Sequence, residues 1–232
     1  MILVARYDTV LFDADNTLLD FSRSEREALF DALTAFGISV TEQMTEVYSQ
    51  INAAIWKRLE RGEMDKISLR TVRFAEFCEH FSLSVDVNAL ASAYLQALAT
   101  KSYTVAGATE VCEVLSQHCR LYIITNGIAF VQHGRFSNCV LTPYFKERFI
   151  SEEMGAEKPE RAFFDAVFQK IPDFDPAKTL VVGDSLTSDI AGGIRAGLDT
   201  CWYNPQRKPA PEGMAITYTV SRLEDVIPLV LG

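Results

Sequence analysis

Residues 7–20 read YDTVLFDADNTLLD. Tyr7 to Phe12 is a continuous run of apolar, aromatic and β-branched residues rather than an alternating one, which suits a strand covered on both faces in a parallel sheet. The run stops abruptly at Asp13-Ala14-Asp15, two carboxylates at alternate positions. Further along, Leu121 to Ile124, Thr179 to Val182 and Thr200 to Tyr203 repeat the same continuous apolarity, and Ala215 to Val220 reads as an edge strand. Helical patterns fall between them, at Ala106 to His118, Arg161 to Lys170 and Leu186 to Ala196, so the second half of the chain alternates β and α.

The stretch from about Ser22 to Ser102 departs from that alternation, with successive amphipathic helical patterns and no convincing strand. Gly37, Gly62 and the polar turn at Ser82 to Asp86 interrupt its apolar periodicity. An α/β core of residues 1–20 and 103–232 is therefore expected to carry a helical insert, residues 21–102. The proline-rich segment Pro205 to Gly213 reads as a surface loop.

Composition narrows the function. Lys and Arg total 22 against 31 Asp and Glu, a formal charge of −9, which argues against a nucleic-acid polymer as partner. At ~150 residues per domain, 232 residues allow one domain with a smaller insert, and a core of that size needs no metal or disulfide staple. Cys78, Cys112, Cys119, Cys139 and Cys201 are odd in number and scattered, as expected of reduced, packed cysteines in a cytoplasmic protein. The apolar opening Met1 to Ala5 is too short for a signal-peptide core, and no apolar run reaches the ~18 residues of a membrane span.

Polar groups follow three of the runs: Asp13 the first, Thr125-Asn126-Gly127 the second, Gly183-Asp184-Ser185 the third. In an open parallel sheet that edge is where ligands bind. Taken singly, each is a good helix cap. Taken together, Asp13, Asp15, Asp184 and Asp189 crowd four carboxylates against the single ammonium of Lys158, which is hostile to a phosphate dianion unless a cation sits among them. With oxygen ligands only, Mg²⁺ fits better than Zn²⁺.

These four fragments, in order and after the expected strands, resemble the haloacid-dehalogenase-like phosphohydrolases: Asp13-Ala14-Asp15-Asn16-Thr17-Leu18, Thr125-Asn126, Lys158-Pro159, and Gly183-Asp184-Ser185 through Asp189. The resemblance implies a Rossmann-like doubly wound parallel sheet whose insert is an all-helical cap. It also implies Asp13 as nucleophile and Asp15 as general acid and base, the latter meeting the metal through its backbone carbonyl. Thr125, Asn126 and Lys158 would bind the phosphoryl group. Asp184 would ligate Mg²⁺ directly, and Asp189 would ligate through water or hold Lys158. Asp13-Ala14-Asp15-Asn16-Thr17-Leu18-Leu19-Asp20-Phe21 with Ile124-Thr125-Asn126-Gly127 is most similar to the cytosolic noncanonical pyrimidine 5′-nucleotidases, implying a nucleoside 5′-monophosphate as the small phosphomonoester substrate. A monomer or homodimer is expected, with no membrane partner.

Alternatives keep the same fold. A sugar-phosphate phosphatase or a phosphoglucomutase-like enzyme would retain both carboxylates, whereas a haloacid dehalogenase lacks the one at the Asp15 position. A phospho-receiver domain leaves no room for an insert of about 80 residues after its first strand. Within the insert, Phe21 and Trp56 are candidates for stacking on a base, core packing being the commoner fate of a tryptophan. Lys57, Arg58, Arg61, Lys66, Arg70 and Arg73, interleaved with acids, read as a solvated helix face. His80, His118 and His133 have no ligand spacing.

Overall fold

Strand β1 (Thr9–Asp13) is buried at every position and lies between two parallel neighbours, β2 (Arg120–Thr125) and β4 (Thr179–Gly183). The computed structural model describes residues 5–232; Met1–Val4, most of the apolar opening, lie outside the described residues. Strands β3 (Phe145–Ile150), β5 (Asp199–Tyr203) and β6 (Tyr218–Val220) complete a six-stranded, all-parallel sheet in the order β3-β2-β1-β4-β5-β6. The order reverses between β1 and β4, and a crevice opens at the carboxyl ends of the strands where it does so.

Burial on both faces explains the unbroken apolarity of the inner strands. Val10, Phe12, Leu121 and Ile123 pack with α5 (Ala108–Ser116) and the C-terminal helix α10 (Val226–Leu231) on one side. Leu11, Tyr122, Ile124 and Val181 pack on the other with Phe163, Phe164 and Val167 of α8 (Arg161–Lys170). Strand β3 has no counterpart among the sequence expectations. Its centre, Lys146-Glu147-Arg148, is charged and partly exposed, which only an edge strand tolerates. The expected Ala215–Val220 strand is real but short, since only Tyr218–Val220 pairs with β5.

Between β1 and β2 come four helices, α1 (Phe21–Ala35), α2 (Glu42–Glu60), α3 (Lys66–His80) and α4 (Val87–Ala99). Each starts at a side-chain cap: Asp20, Thr41, Asp65 and Asp86 accept from backbone N–H groups of the first turn. Gly37 and Gly62 follow the ends of α1 and α2 at φ +71°, the left-handed conformation that closes a helix without a Cβ penalty. The four helices share one apolar cluster, including Leu29, Leu33, Tyr48, Ile55, Phe74, Phe77 and Tyr94, and Ile128 and Val131 beyond β2 also join it.

Helices α6 (Ala129–Ser137), α7 (Ser151–Met154) and α9 (Ala191–Ala196) complete the set. The helix expected over Leu186–Ala196 is in fact two pieces, a π-helical turn at Leu186–Ile190 followed by α9. Such widened turns recur at functional sites, and this one carries Asp189. The Pro205–Gly213 segment is an exposed loop. All five cysteines are buried and unpaired, and among the described residues no helix is long and apolar enough to cross a membrane.

Candidate active site

Lys158 is the hub of the crevice. It is 2% exposed, and its ammonium donates to Asp13 Oδ1 at 2.7 Å, Asp189 Oδ1 at 2.6 Å and the Ile124 carbonyl at 2.9 Å. An ammonium has three protons, so all are committed, and a phosphoryl oxygen could be bound only by exchange with one of these partners. The lysine backbone is gripped as well: Asn126 Nδ2 donates to the Lys158 carbonyl at 2.7 Å, and Lys158 N–H donates to Asn126 Oδ1 at 2.9 Å. The Asn126 side chain is thereby spent on placing Lys158, at the wall of the crevice that the residue lines.

Asp13, Asp184 and Asp189 each offer an oxygen within 4.8 Å of the others. Burial, reinforced by Asp189 and opposed by Lys158, holds Asp13 well above the ordinary carboxylate range. Burial and then Asp189 push Asp184 up to about 7. Burial would pull Lys158 down, yet Asp13 and Asp189 outweigh it and keep the ammonium charged. The lysine therefore neutralises only part of the cluster, and three crowded carboxylates remain one cation short. Oxygen donors at this spacing suit a hard divalent ion, so the residues present fit Mg²⁺.

Asp15 stands apart from that cluster. Arg135, fully buried on α6, donates through Nη1 to Asp15 Oδ1, and Gln132 Nε2 donates to Oδ2 at 2.7 Å. Its side chain is thus held by α6 and not by Lys158. Thr125 Oγ1 accepts from Gly127 N–H at 3.0 Å and from Gln132 Nε2 at 3.3 Å. Both bonds enter the oxygen, so the hydroxyl proton stays free to donate. Ser185 caps the turn carrying Asp189 by accepting from Ser188 N–H.

Asp13, Asp15, Thr125, Asn126, Lys158, Asp184 and Asp189 line one cavity of about 320 Å³ whose floor is the strand ends and whose roof is α1 and α2. Phe21, Glu25, Asn52 and Trp56 project into it from above. Trp56, expected mainly as a core residue, is half-buried: it packs against the cap cluster and lines the cavity. Behind it runs a buried polar chain, Arg73 Nη1 to Asn52 Oδ1 at 2.9 Å and Asn52 Nδ2 to Glu25 Oε1 at 2.6 Å.

The basic cluster is not a solvated face throughout. Arg73 is buried, Lys66 pairs with Glu157 at 2.9 Å and also donates to Ser151 Oγ, and Arg70 pairs with Glu152 at 2.8 Å, which ties α3 to the segment around α7. His133 pairs with Glu153 at the surface. Gln132 and Arg135 went unnoticed in the sequence; their only signal is a polar pair at i and i+3, one helix face, beside apolar Val131 and Phe136.

A doubly wound sheet with three clustered carboxylates and a buried lysine at its switch point, beneath a helical insert, suits a hydrolase of the helical-cap type. The family model for haloacid dehalogenase-like hydrolases matches residues 7–197, and the chain belongs to that family. The HAD-hydrolase YfnB of Bacillus subtilis (strain 168) is 38% identical over 95% of this chain and 94% of its own. The pyrimidine 5′-nucleotidase PynA of Streptococcus pneumoniae is 38% identical over 95% and 94%. The pyrimidine 5′-nucleotidase YjjG of Escherichia coli is 33% identical over 95% and 96%. A crystal structure of YfnB bound to magnesium, described as revealing interdomain movement, superposes with a TM-score of 0.92, covering 97% of this chain and 98% of that one.

Proposed function

We propose that this protein is a Mg²⁺-dependent phosphomonoesterase working through an aspartyl-phosphate on Asp13, with nucleoside 5′-monophosphates, pyrimidine ones foremost, as substrates. The observation that carries the reading is the division of labour between two carboxylates two positions apart. Asp13 sits in the lysine-linked acidic cluster, while Asp15 is held separately at the wall of the same cavity. The kinship with PynA and YjjG supports the nucleotide.

Asp13, Asp184 and Asp189 would hold Mg²⁺ by their carboxylates, Asp189 directly or through water, and Asp15 by its backbone carbonyl. When bound, the ion offsets the charge of the acidic cluster and of the phosphoryl oxygens, so that an anion can approach an anionic nucleophile. A carboxylate oxygen of Asp13 attacks phosphorus as the bond to the ester oxygen breaks, and Asp15 delivers its proton to that oxygen. Asp15, now ionised, takes a proton from the water that attacks the aspartyl-phosphate, releasing inorganic phosphate and restoring Asp13. The Thr125 hydroxyl, the Lys158 ammonium and the Asn126 backbone N–H hold the phosphoryl oxygens as charge redistributes.

Residues 21–102 act as the cap and residues 1–20 with 103–232 as the core. Closing the cap excludes competing water and presents Phe21 and Trp56 to the part of the substrate beyond the phosphate. Unpaired, buried cysteines support a cytoplasmic setting. The test is phosphate release from a panel of nucleotides and sugar phosphates with Mg²⁺, together with acid-quench trapping of phosphoenzyme. Turnover confined to nucleotides and abolished by Asp13→Asn or by chelator is expected. Faster turnover of sugar phosphates would replace the substrate assignment, and activity surviving Asp13→Asn would overturn the mechanism.

A further inference from the structure

We infer that Arg135 and Gln132 are positioning residues that aim Asp15 at the leaving-group oxygen and keep it out of the cation cluster; the inference rests on the reading of Asp15 as general acid. Two carboxylates at i and i+2 on a strand end would both be drawn to the same cation. In this molecule each has its own partners. Lys158 holds Asp13, whereas both oxygens of Asp15 are taken by α6, Oδ1 by Arg135 and Oδ2 by Gln132.

Arg135 is an expensive choice if it serves stability alone. Its exposure is 0%, burying a guanidinium costs several kcal/mol, and besides the Phe21 ring 5.9 Å away its hydrogen bonds go only to Asp15 and one carbonyl, with Nη2 left unpartnered. That carbonyl belongs to Lys101, which accepts from Arg135 Nε at 2.9 Å. Lys101 lies just past the end of α4, where the chain returns from the cap helices to the sheet. The guanidinium therefore spans from the cap's exit segment to the proposed acid, and cap position is coupled to where Asp15 points.

Gln132 sets the second coordinate. Its one Nε2 donates to Asp15 Oδ2 at 2.7 Å and to Thr125 Oγ1 at 3.3 Å, so the acid is registered against the hydroxyl proposed to grip the phosphoryl group. A 1 Å error in such a placement is enough to cost about two orders of magnitude in rate. Beside these side chains lies a cavity of about 30 Å³ that Arg73, Phe21 and Trp56 also line, room for a water or two.

The test compares kcat/KM, which reports steps through the first phosphoryl transfer, for a nucleoside 5′-monophosphate and for p-nitrophenyl phosphate. The alkyl leaving group needs a proton; p-nitrophenolate does not. Arg135→Met should lower the nucleotide value about 10- to 100-fold and the aryl value less than about threefold, with partial recovery in Arg135→Lys, while Gln132→Leu, which also takes a donor from Thr125 Oγ1, should lower both values but the nucleotide one by about tenfold more. In an Asp15→Asn background Arg135→Met should change neither value by more than about twofold, because a residue acting only through Asp15 has nothing left to position. Gln132→Leu removes no charge and keeps the comparison standing if Arg135→Met does not fold. Equal losses on both substrates, or losses that add to Asp15→Asn, overturn the inference while leaving the phosphatase reading intact. Wild-type protein that hydrolyses neither substrate overturns both.

Discussion

The Lys158 ammonium lies 2.7 Å from Asp13 Oδ1, with both side chains buried at the carboxyl edge of the sheet. Removing the cation leaves Asp13 and Asp189 facing each other uncompensated. Lys158→Met should lower unfolding stability by about 3–5 kcal/mol, the usual loss when one partner of a buried pair is deleted. Turnover should fall by about 10²–10³. Lys158→Arg should rescue neither, since a planar fork cannot reproduce three bonds to Asp13, Asp189 and Ile124. Denaturant titration and kcat/KM check this; a stable, active arginine variant refutes it.

Magnesium should stabilise the protein in a pH-dependent way. Asp184 is pushed up to about 7 by burial and the Asp189 carboxylate, and Asp13 is raised for related reasons. A raised carboxylate means the cation-free fold holds its proton more tightly than the unfolded chain. Stability of that form is therefore fully present in acid and declines as pH rises from the ordinary carboxylate range toward about 7. Mg²⁺ relieves the repulsion that appears there, so its effect on Tm should be larger at about pH 8 than at about pH 5.5. With the ion at 100 times Kd, about 2.7 kcal/mol is expected, or roughly 5–10 °C for a chain of this length. Equal Tm shifts at both pH values would contradict the cluster's proposed role.

Gly183 is the last residue of β4, and a Cβ placed there would collide with the Asp189 carboxylate. That carboxylate cannot step aside cheaply, because Lys158 and the Ser185 N–H both hold it. Gly183→Ala should displace Asp189, weaken Mg²⁺ binding by about tenfold or more, and leave the secondary structure intact. Isothermal titration with Mg²⁺ and circular dichroism together measure it; unchanged affinity rejects it.

Trp56 and Phe21 wall the upper cavity. If Trp56 stacks on the base, Trp56→Ala should raise KM for nucleotides by about 5- to 150-fold, equivalent to the ~1–3 kcal/mol of a stacked base, with little change for a small alkyl phosphate. A KM increase of the same size for both substrates would instead point to disturbed cap packing.

The Arg70–Glu152 and Lys66–Glu157 pairs join α3 to the core side of the crevice. Partly exposed pairs contribute about 0–1 kcal/mol each, so the Arg70→Ala/Lys66→Ala double variant should melt within a few degrees of wild type. The expected effect is on geometry: the variant should show a more open ensemble in small-angle scattering at low salt, and raising ionic strength should open wild type while leaving the variant unchanged. No difference in scattering would show that the pairs do not hold the cap.

How much of this was legible beforehand depends on the physics that set each part. The inner strands announced themselves because burial on both faces demands unbroken apolarity, as in Val10-Leu11-Phe12. Asp13, Thr125 and Asp184 were visible because polar residues punctuate those runs at one sheet edge, and Lys158 only through the likeness of Lys158-Pro159 to a family motif. Strand β3 was not, since Lys146-Glu147-Arg148 at an edge carries no apolar signature. Arg135, Gln132 and Arg73 were invisible for a different reason: charged or amide side chains on helices look like solvated ones until tertiary packing buries them. The π-helical turn at Leu186–Ile190 escaped because its residues fit an ordinary helical pattern equally well.

Ile128 and Val131 sit in the apolar cluster of the four cap helices although they follow β2. During synthesis, residues 21–99 leave the ribosome with that cluster unfinished, and the missing pieces arrive some thirty residues later. The apolar cluster of the cap helices is complete only when the segment after β2 has packed against it. For anyone exchanging caps between relatives to change substrate preference, residues 21–102 are accordingly the wrong cut: the graft would leave two of its own core side chains behind, and the exchangeable piece has to include the start of α6.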